Sequence, residues 1–167
     1  MADRVYSRPL QDGTKVWDAV VHIPNPTTGK RKQVQRTFKT QREAKRWVAD
    51  QQGAVANGTA VLPNTMTVAH LLDYWLENLV RHHKSGKTYV SYEGTVRLHI
   101  NPQLGHVQVQ KLTVAQVQQW QTGKLDAGCG PRTVQLAHIN LSQALDVAVK
   151  LDLVPRNVAN LANPPRY

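Results

Sequence analysis

The sequence predicts an α+β chain in two units. A small three-stranded antiparallel sheet with one helix occupies residues 1–57, a linker 58–65, and an all-α four-helix bundle with a C-terminal tail 66–167. Three observations carry this expectation. Apolar residues alternate from Lys15 to Ile23, the period of a strand. After Thr40 the period changes to that of a helix. Beyond Pro63, four helical stripes follow one another, separated by glycine, proline or a capping residue.

In the first unit, Trp17, Ala19, Val21 and Ile23 fall on one face of a strand, and Val16, Asp18, Val20 and His22 on the other. Residues 24–29 are rich in turn formers, Lys32 to Phe38 is a second extended run, and Arg4 to Leu10 a weaker one. Thr40-Gln-Arg-Glu43 has the pattern of a capping box. Ala44, Trp47, Val48 and Val55 then recur at helical spacing, with Gly53 a weak point and Gly58 a stop. Trp17, Val21, Phe38 and Trp47 are expected to supply most of the core. The sheet's other face is then free. It is flanked by Lys30, Arg31 and Lys32 and carries Gln33, Gln35 and Arg36, residue types that grip phosphates or read base edges. A merely solvated polar face has the same composition.

In the second unit, Thr67 caps a helix with Leu71, Leu72, Trp75, Leu76 and Leu79 on its stripe, and residues 82–86 end it. His82 and His83 are adjacent, with no carboxylate or thiol close in sequence, so no metal site is expected. The next helix, Thr88 to His99, turns Tyr89, Tyr92, Val96 and Ile100 to the core. Lys87, Ser91 and Thr95 lie opposite, with Arg97 at an edge. Residues 101–105, Asn-Pro-Gln-Leu-Gly, are expected to stop it. Thr113 caps a third helix with Val117 and Trp120 inward, ending before Gly128. Pro131 suits the first turn of a fourth, with Val134, Ala137, Leu141, Leu145 and Ala148 buried. Arg132, Thr133, Gln135 and His138 lie near its start or on its outer side, Val154-Pro155 breaks it, and a short turn and extended exit follow.

The charge is the main functional signal. Lys and Arg number 21 against 11 acidic residues, for a net charge of +10. Residues 1–62 hold 11 basic and 5 acidic side chains, and 63–167 hold 10 and 6, so both units are positive. Such an excess points to a polyanionic partner. Cys129 is the only cysteine, which excludes an intramolecular disulfide and fits a reducing cytoplasm. Set in Ala-Gly-Cys-Gly-Pro, it reads as a loop residue rather than a catalytic thiol. No apolar run approaches the ~18 residues of a membrane span, and the N-terminus lacks the apolar segment of a signal peptide.

Residues 87–105 contain Thr-Tyr-Val-Ser-Tyr and then His-Ile-Asn-Pro-Gln-Leu-Gly. This order resembles the core-binding domain of phage-type integrases of the tyrosine recombinase family. The run Trp17-x-Ala19, Gly29-Lys-Arg-Lys32, Thr37-Phe-Lys-Thr-x-x-Glu43-Ala resembles the arm-type DNA-binding domain of the same integrases, which resembles the plant AP2 module. The resemblance implies an AP2-like sheet unit over about residues 4–57 and a SAM-like bundle over about 66–165. It implies sequence-specific binding of double-stranded DNA at arm-type and core-type attachment sites, for site-specific recombination and integration. Lys87 matches a basic residue at the start of the family's DNA-facing helix, and Ser91 lies one turn later. Thr88, Thr95, Arg97, Arg132, Thr133 and Gln135 complete the candidate DNA-binding set of this unit. The implied partners are other integrase protomers on the DNA and DNA-bending and directionality factors, in the cytoplasm of a bacterial host. No membrane partner and no cofactor are expected. The family's catalytic arginines, lysine, His or Trp groups and tyrosine nucleophile have no counterpart here, and Tyr167 has no arginine and histidine constellation. The expectation is the DNA-binding portion of an integrase, without catalytic residues. One departure is Asn157-Val158, where the family tail usually reads Asn-Pro. A stand-alone transcription regulator is the alternative; an RNA-binding module is disfavoured because no aromatic platform is legible.

Overall fold

A computed structural model describes residues 3–24 and 31–164. The chain divides into two compact units, Met1–Pro63 and Asn64–Tyr167. The turn expected within residues 24–29 lies outside the described residues except for Pro24, as do Lys30 and the end of the extended exit.

The first unit is a meander of β1 (Arg4–Pro9), β2 (Lys15–Pro24) and β3 (Arg31–Phe38), both pairs antiparallel, followed by α1 (Gln41–Ala56). The Thr40 hydroxyl accepts from the Glu43 amide at 3.3 Å, satisfying one donor of the first turn. Gly58 ends α1 at φ +67, where a Cβ would be strained. β2 is central, and Ala19, Val21 and Ile23 are buried with Ala44 of α1. Trp17, Phe38 and Trp47 are only half-buried. Phe38 packs obliquely on Trp47 with ring centroids 5.8 Å apart. The core is thus aliphatic, with the rings at its margin, because one helix is too narrow to cover them.

The second unit has four helical rods. In α2, Val68–Trp75 is continued by a π turn Leu76–Val80 and a last turn Arg81–His83. In α3, Gly86–Thr95 is continued by a π turn Val96–Ile100 and Asn101–Leu104. α4 is Val114–Asp126 and α5 is Pro131–Lys150. Short 3-10 turns, Val109–Lys111 and Ala159–Leu161, complete it. The core joins Leu71, Leu72, Trp75, Val96, Ile100, Val117, Trp120, Leu141 and Leu145, all nearly inaccessible. Tyr92 stacks on Trp75 at 5.7 Å, and the Tyr89 hydroxyl donates to Glu77 at 2.6 Å. Those bonds fix α3 against α2 and give both tyrosines packing roles. Thr113 and Gln116 form a full capping box at the start of α4.

Two expected stops are displaced. α3 continues helically to Leu104, past Pro102. Pro102 has no amide hydrogen for the Leu98 carbonyl. A π turn precedes it, and side chains of α4 donate to two carbonyls of this segment. Lys124 Nζ reaches the Leu98 carbonyl at 3.5 Å, and Trp120 Nε1 donates to the His99 carbonyl at 2.8 Å. α5 ends at Lys150 rather than at Val154. Asp152 takes φ +54, and the Asp152 and Leu153 amides bond back to Val149 and Ala148, a Schellman stop.

The segment after α3 caps α2. The Gly105 and Val107 carbonyls accept from the Ala69 and Val68 amides at 3.0 and 2.9 Å. A Cβ on Gly105 would lie 2.6 Å from the Asn101 carbonyl oxygen. Gly105→Ala is therefore expected to destabilise the helical unit by ~1–3 kcal/mol, as overpacking does. An unchanged melting curve in calorimetry would refute this.

Candidate nucleic-acid interface

Strand pairing fixes which side chains share a face of the sheet. Val20 pairs with Arg4 and Gln35, Asp18 with Tyr6 and Thr37, Val16 with Arg8, and His22 with Gln33. By alternation these lie opposite the face carrying Ala19, Val21 and Ile23. The open face is cross-linked. Asp18, 1% exposed, accepts from Arg8 Nε at 3.0 Å and from the Thr37 hydroxyl at 2.5 Å. Gln35 Nε2 donates to the Tyr6 hydroxyl at 3.3 Å. The Arg4 guanidinium lies 5.6 Å from the Tyr6 ring centroid. Donation from Thr37 and then from Arg8 holds the Asp18 carboxyl below its ordinary pKa.

Gln33 and Gln35 therefore sit on the open face, as expected, and Arg31 is exposed at the start of β3. Arg36 does not. It pairs with Ala19, so it shares the α1 side, where its guanidinium lies 5.4 Å from the Phe38 ring centroid. Lys32, opposite Ile23, falls on that side too, at the exposed edge strand. The period of two decides this: one residue of register changes the face. Arg4, Tyr6, Arg8 and Thr37 were not among the expected site residues. Their signal is the alternation Arg4-x-Tyr6-x-Arg8, which places cations and a hydroxyl together.

In the helical unit, Ser85 caps α3, its hydroxyl accepting from the Thr88 amide at 3.3 Å and lying 3.0 Å from the Thr88 hydroxyl. Lys87 and Ser91 are exposed one turn apart. Thr95 is not on that surface: it is 8% exposed, and its hydroxyl donates to the Ser91 carbonyl at 2.8 Å. Arg97 is exposed and bonded to Glu93 at 2.9 Å. On α5, Arg132 donates to Gln135 at 3.2 Å, and Thr133 and Gln135 are half-buried. His138, expected near the start or outer side, is buried and 2.7 Å from Gln121 Nε2; burial pushes its pKa down.

The start of α5 lies beside the far part of α3. Cys129 Sγ is 3.9 Å from His99 Nδ1. Lys87 lies roughly 16 Å further along α3, at 1.5 Å per residue from Leu98. Lys87 and Arg132 thus form two stations rather than one cluster. Lys124, at the Leu98 carbonyl, adds a cation near the second. Burial and then the Lys124 charge lower the His99 pKa.

Among the described residues, no group of three or more His, Cys, Asp or Glu side chains can hold a metal ion. No described helix is long and apolar enough to cross a membrane.

Comparison with known proteins places both units. Residues 9–55 match the arm DNA-binding domain family. Residues 67–125 match the phage integrase N-terminal SAM-like domain family. An integrase of Streptomyces ambofaciens is 28% identical over 153 residues, 90% of this chain, and the chain covers 38% of that protein's length. The solution structure of a phage integrase SAM-like domain from Moorella thermoacetica is 34% identical, with a TM-score of 0.54. The match covers 64% of this chain and 92% of that domain. A lambda integrase tetramer bound to a Holliday junction shares the fold over 98% of this chain and 45% of its own, with TM-score 0.57 and 18% identity.

Two predictions follow from the charges. Because folding lowers the Asp18 pKa, the ionised carboxylate stabilises the sheet above the unfolded value of about 3.9, and this is lost as pH falls through the folded value. Protection factors of the β2 amides, which divide out the intrinsic pH dependence of exchange, should fall below about pH 4 in the parent, with a flatter profile in Asp18→Asn. Equal profiles would contradict the role of Asp18. Secondly, α3 and α5 carry no acidic residue in their first turns, which hold Lys87 and Arg132. A cation there opposes the helix dipole by ~0.3–1 kcal/mol. Lys87→Glu should therefore raise the melting temperature slightly while weakening DNA binding. A fall in both would mean that Lys87 serves the fold.

Proposed function

We propose that this chain, which belongs to the phage integrases of the tyrosine recombinase family, binds double-stranded DNA at attachment sites through two separate surfaces. Its residues correspond to the family's arm-binding and SAM-like DNA-binding domains, neither of which is catalytic. In this reading residues 1–57 bind arm-type sites, 58–65 are the linker, and 66–167 bind core-type sites. One protomer then bridges two sequences, and joining the modules raises the effective concentration of the second at its site.

The observation that carries the reading is the open face of the sheet. One helix covers the other face, and this one presents Arg4, Arg8, Gln33, Gln35 and Thr37, all exposed. A sheet of this width enters the major groove, where amides read base edges and guanidinium groups grip phosphates. Arg31 and Lys32 at the start of β3, with Lys30 next to them in sequence, are proposed to contact the backbone. On the helical unit, Lys87, Thr88, Ser91 and Arg97 of α3 and Arg132, Thr133 and Gln135 of α5 are proposed as the contact set. Cations at two helix N-termini suit phosphates. The implied partners are attachment-site DNA, other integrase protomers on it, and DNA-bending and directionality factors. The compartment is the cytoplasm of a bacterial host.

The test uses the whole chain on DNA carrying both site types. Lys87→Ala/Arg132→Ala should weaken core-site protection and leave arm-site protection intact. Each lost phosphate contact should reduce the slope of log K against log salt by about 0.9. Gln35→Ala should cost ~1–3 kcal/mol on the arm site and almost nothing on random DNA. Identical footprints for all variants, with circular dichroism reporting intact folding, would refute the two-surface reading.

A further inference from the structure

The outward side of α3 has an unusual composition for a solvated helix. Lys87, Val90, Ser91, Gly94 and Leu98 follow one another at i, i+3, i+4, i+7 and i+11, opposite the buried Val96 and Ile100. Val90 is 67% exposed and Leu98 56%. Between them Gly94 stands in open space: a Cβ there meets no atom within 4 Å. Among the described residues, packing gives no reason for two large apolar side chains and a glycine on this face. Helix propensity argues against the glycine, which costs ~0.8–1.0 kcal/mol relative to alanine in a helix interior.

The rim of this patch is cationic. Lys84 and Lys87 are exposed on its N-terminal side. Arg97, 64% exposed, and Lys124, 3.5 Å from the Leu98 carbonyl, border the other end. The one carboxylate of α3, Glu93, is bonded to Arg97 at 2.9 Å and offsets its charge, which leaves Lys84, Lys87 and Lys124 as the net cations of the rim. An apolar centre inside a positive rim is complementary to an object that is anionic outside and has apolar groups recessed within. A duplex major groove has that arrangement: phosphates line its edges, and thymine C5-methyl groups lie on its floor. The groove also admits one α-helix.

We propose that α3 reads thymine methyl groups, with Val90 and Leu98 as the apolar contacts and Gly94 as the point where the helix backbone comes nearest the bases. This rests on the DNA-binding reading above and adds to it a specificity determinant separate from the phosphate contacts of Lys87 and Arg132. A single residue at 94 cannot lengthen its side chain without holding the helix off the groove floor. Val90 and Leu98, two helical turns apart, contact different base steps.

The experiment selects binding sequences from a randomised duplex library with the full chain and with the Val90→Ala/Leu98→Ala variant. The sequence element that loses enrichment in the variant is resynthesised with deoxyuridine in place of thymidine, which removes only the methyl group. The parent protein should bind each uracil-substituted element about fourfold more weakly per contacted methyl, equivalent to ~0.8 kcal/mol for one methyl-sized group. The variant should not distinguish the two. Gly94→Gln should weaken binding about tenfold, ~1.4 kcal/mol, while its melting temperature stays level or rises. That pairing of opposite effects is not available to a structural role. A parent protein that selects a sequence yet is indifferent to uracil overturns the proposal and leaves the DNA-binding reading standing. A protein that selects no DNA overturns both. Binding to phosphatidylserine vesicles that is lost in Val90→Ala/Leu98→Ala, with DNA selection unchanged, assigns the face to an anionic membrane and overturns it as well.

Discussion

One helix can cover only one face of a three-stranded sheet, and the organisation of the first unit depends on that limit. α1 buries Ala19, Val21 and Ile23 with Ala44. It leaves Val16, Asp18 and Val20 on the other side. They are shielded by their own strand neighbours, through the Arg8–Asp18–Thr37 and Gln35–Tyr6 bonds. A buried carboxylate without such donors would be costly. The network satisfies Asp18 and holds cationic and amide side chains in a fixed row. The polar surface is therefore pre-organised rather than loosely solvated, which reduces the entropy lost on binding.

The helical unit meets a comparable limit at Pro102. Without an amide there, the Leu98 carbonyl lacks its helical partner. The π turn, Lys124 and Trp120 together keep the rod continuous to Leu104. Two consequences reach the surface. Lys124 is brought to Leu98, and the start of α5 lies against His99. The loop that follows, with Gly105 close against Asn101, caps α2 and closes the unit.

Much of the fold was legible in the sequence. The alternation in β2, the caps at Thr40, Thr67 and Thr113, and the stripe of α5 all depend on local chemistry, and each stands where its residues predict. What was not legible depends on partners distant in the chain. The continuation of α3 through Pro102 is accompanied by contacts from α4 that its own segment does not reveal. The face of Arg36 follows from its pairing with Ala19, which the composition of β3 alone does not reveal. Thr95, expected opposite the buried stripe, and His138, expected near the start or outer side of α5, are buried because of the helices packed around them, which the sequence does not reveal. The row Arg4, Tyr6, Arg8 was written in the alternation of β1, but its meaning appears only when Asp18 and Thr37 are beside it.

DNA is proposed to meet the open face of the sheet and the outward face of α3. The most direct measurement is amide chemical-shift mapping of the intact chain during titration with attachment-site duplex. The largest changes should fall on β1 and β3 around Arg8, Gln33, Gln35 and Thr37, and on α3 around Lys87, Ser91, Gly94 and Leu98. Changes concentrated instead on the exposed side of α1, around Arg42, Lys45 and Arg46, or on α2, would contradict this placement of the DNA.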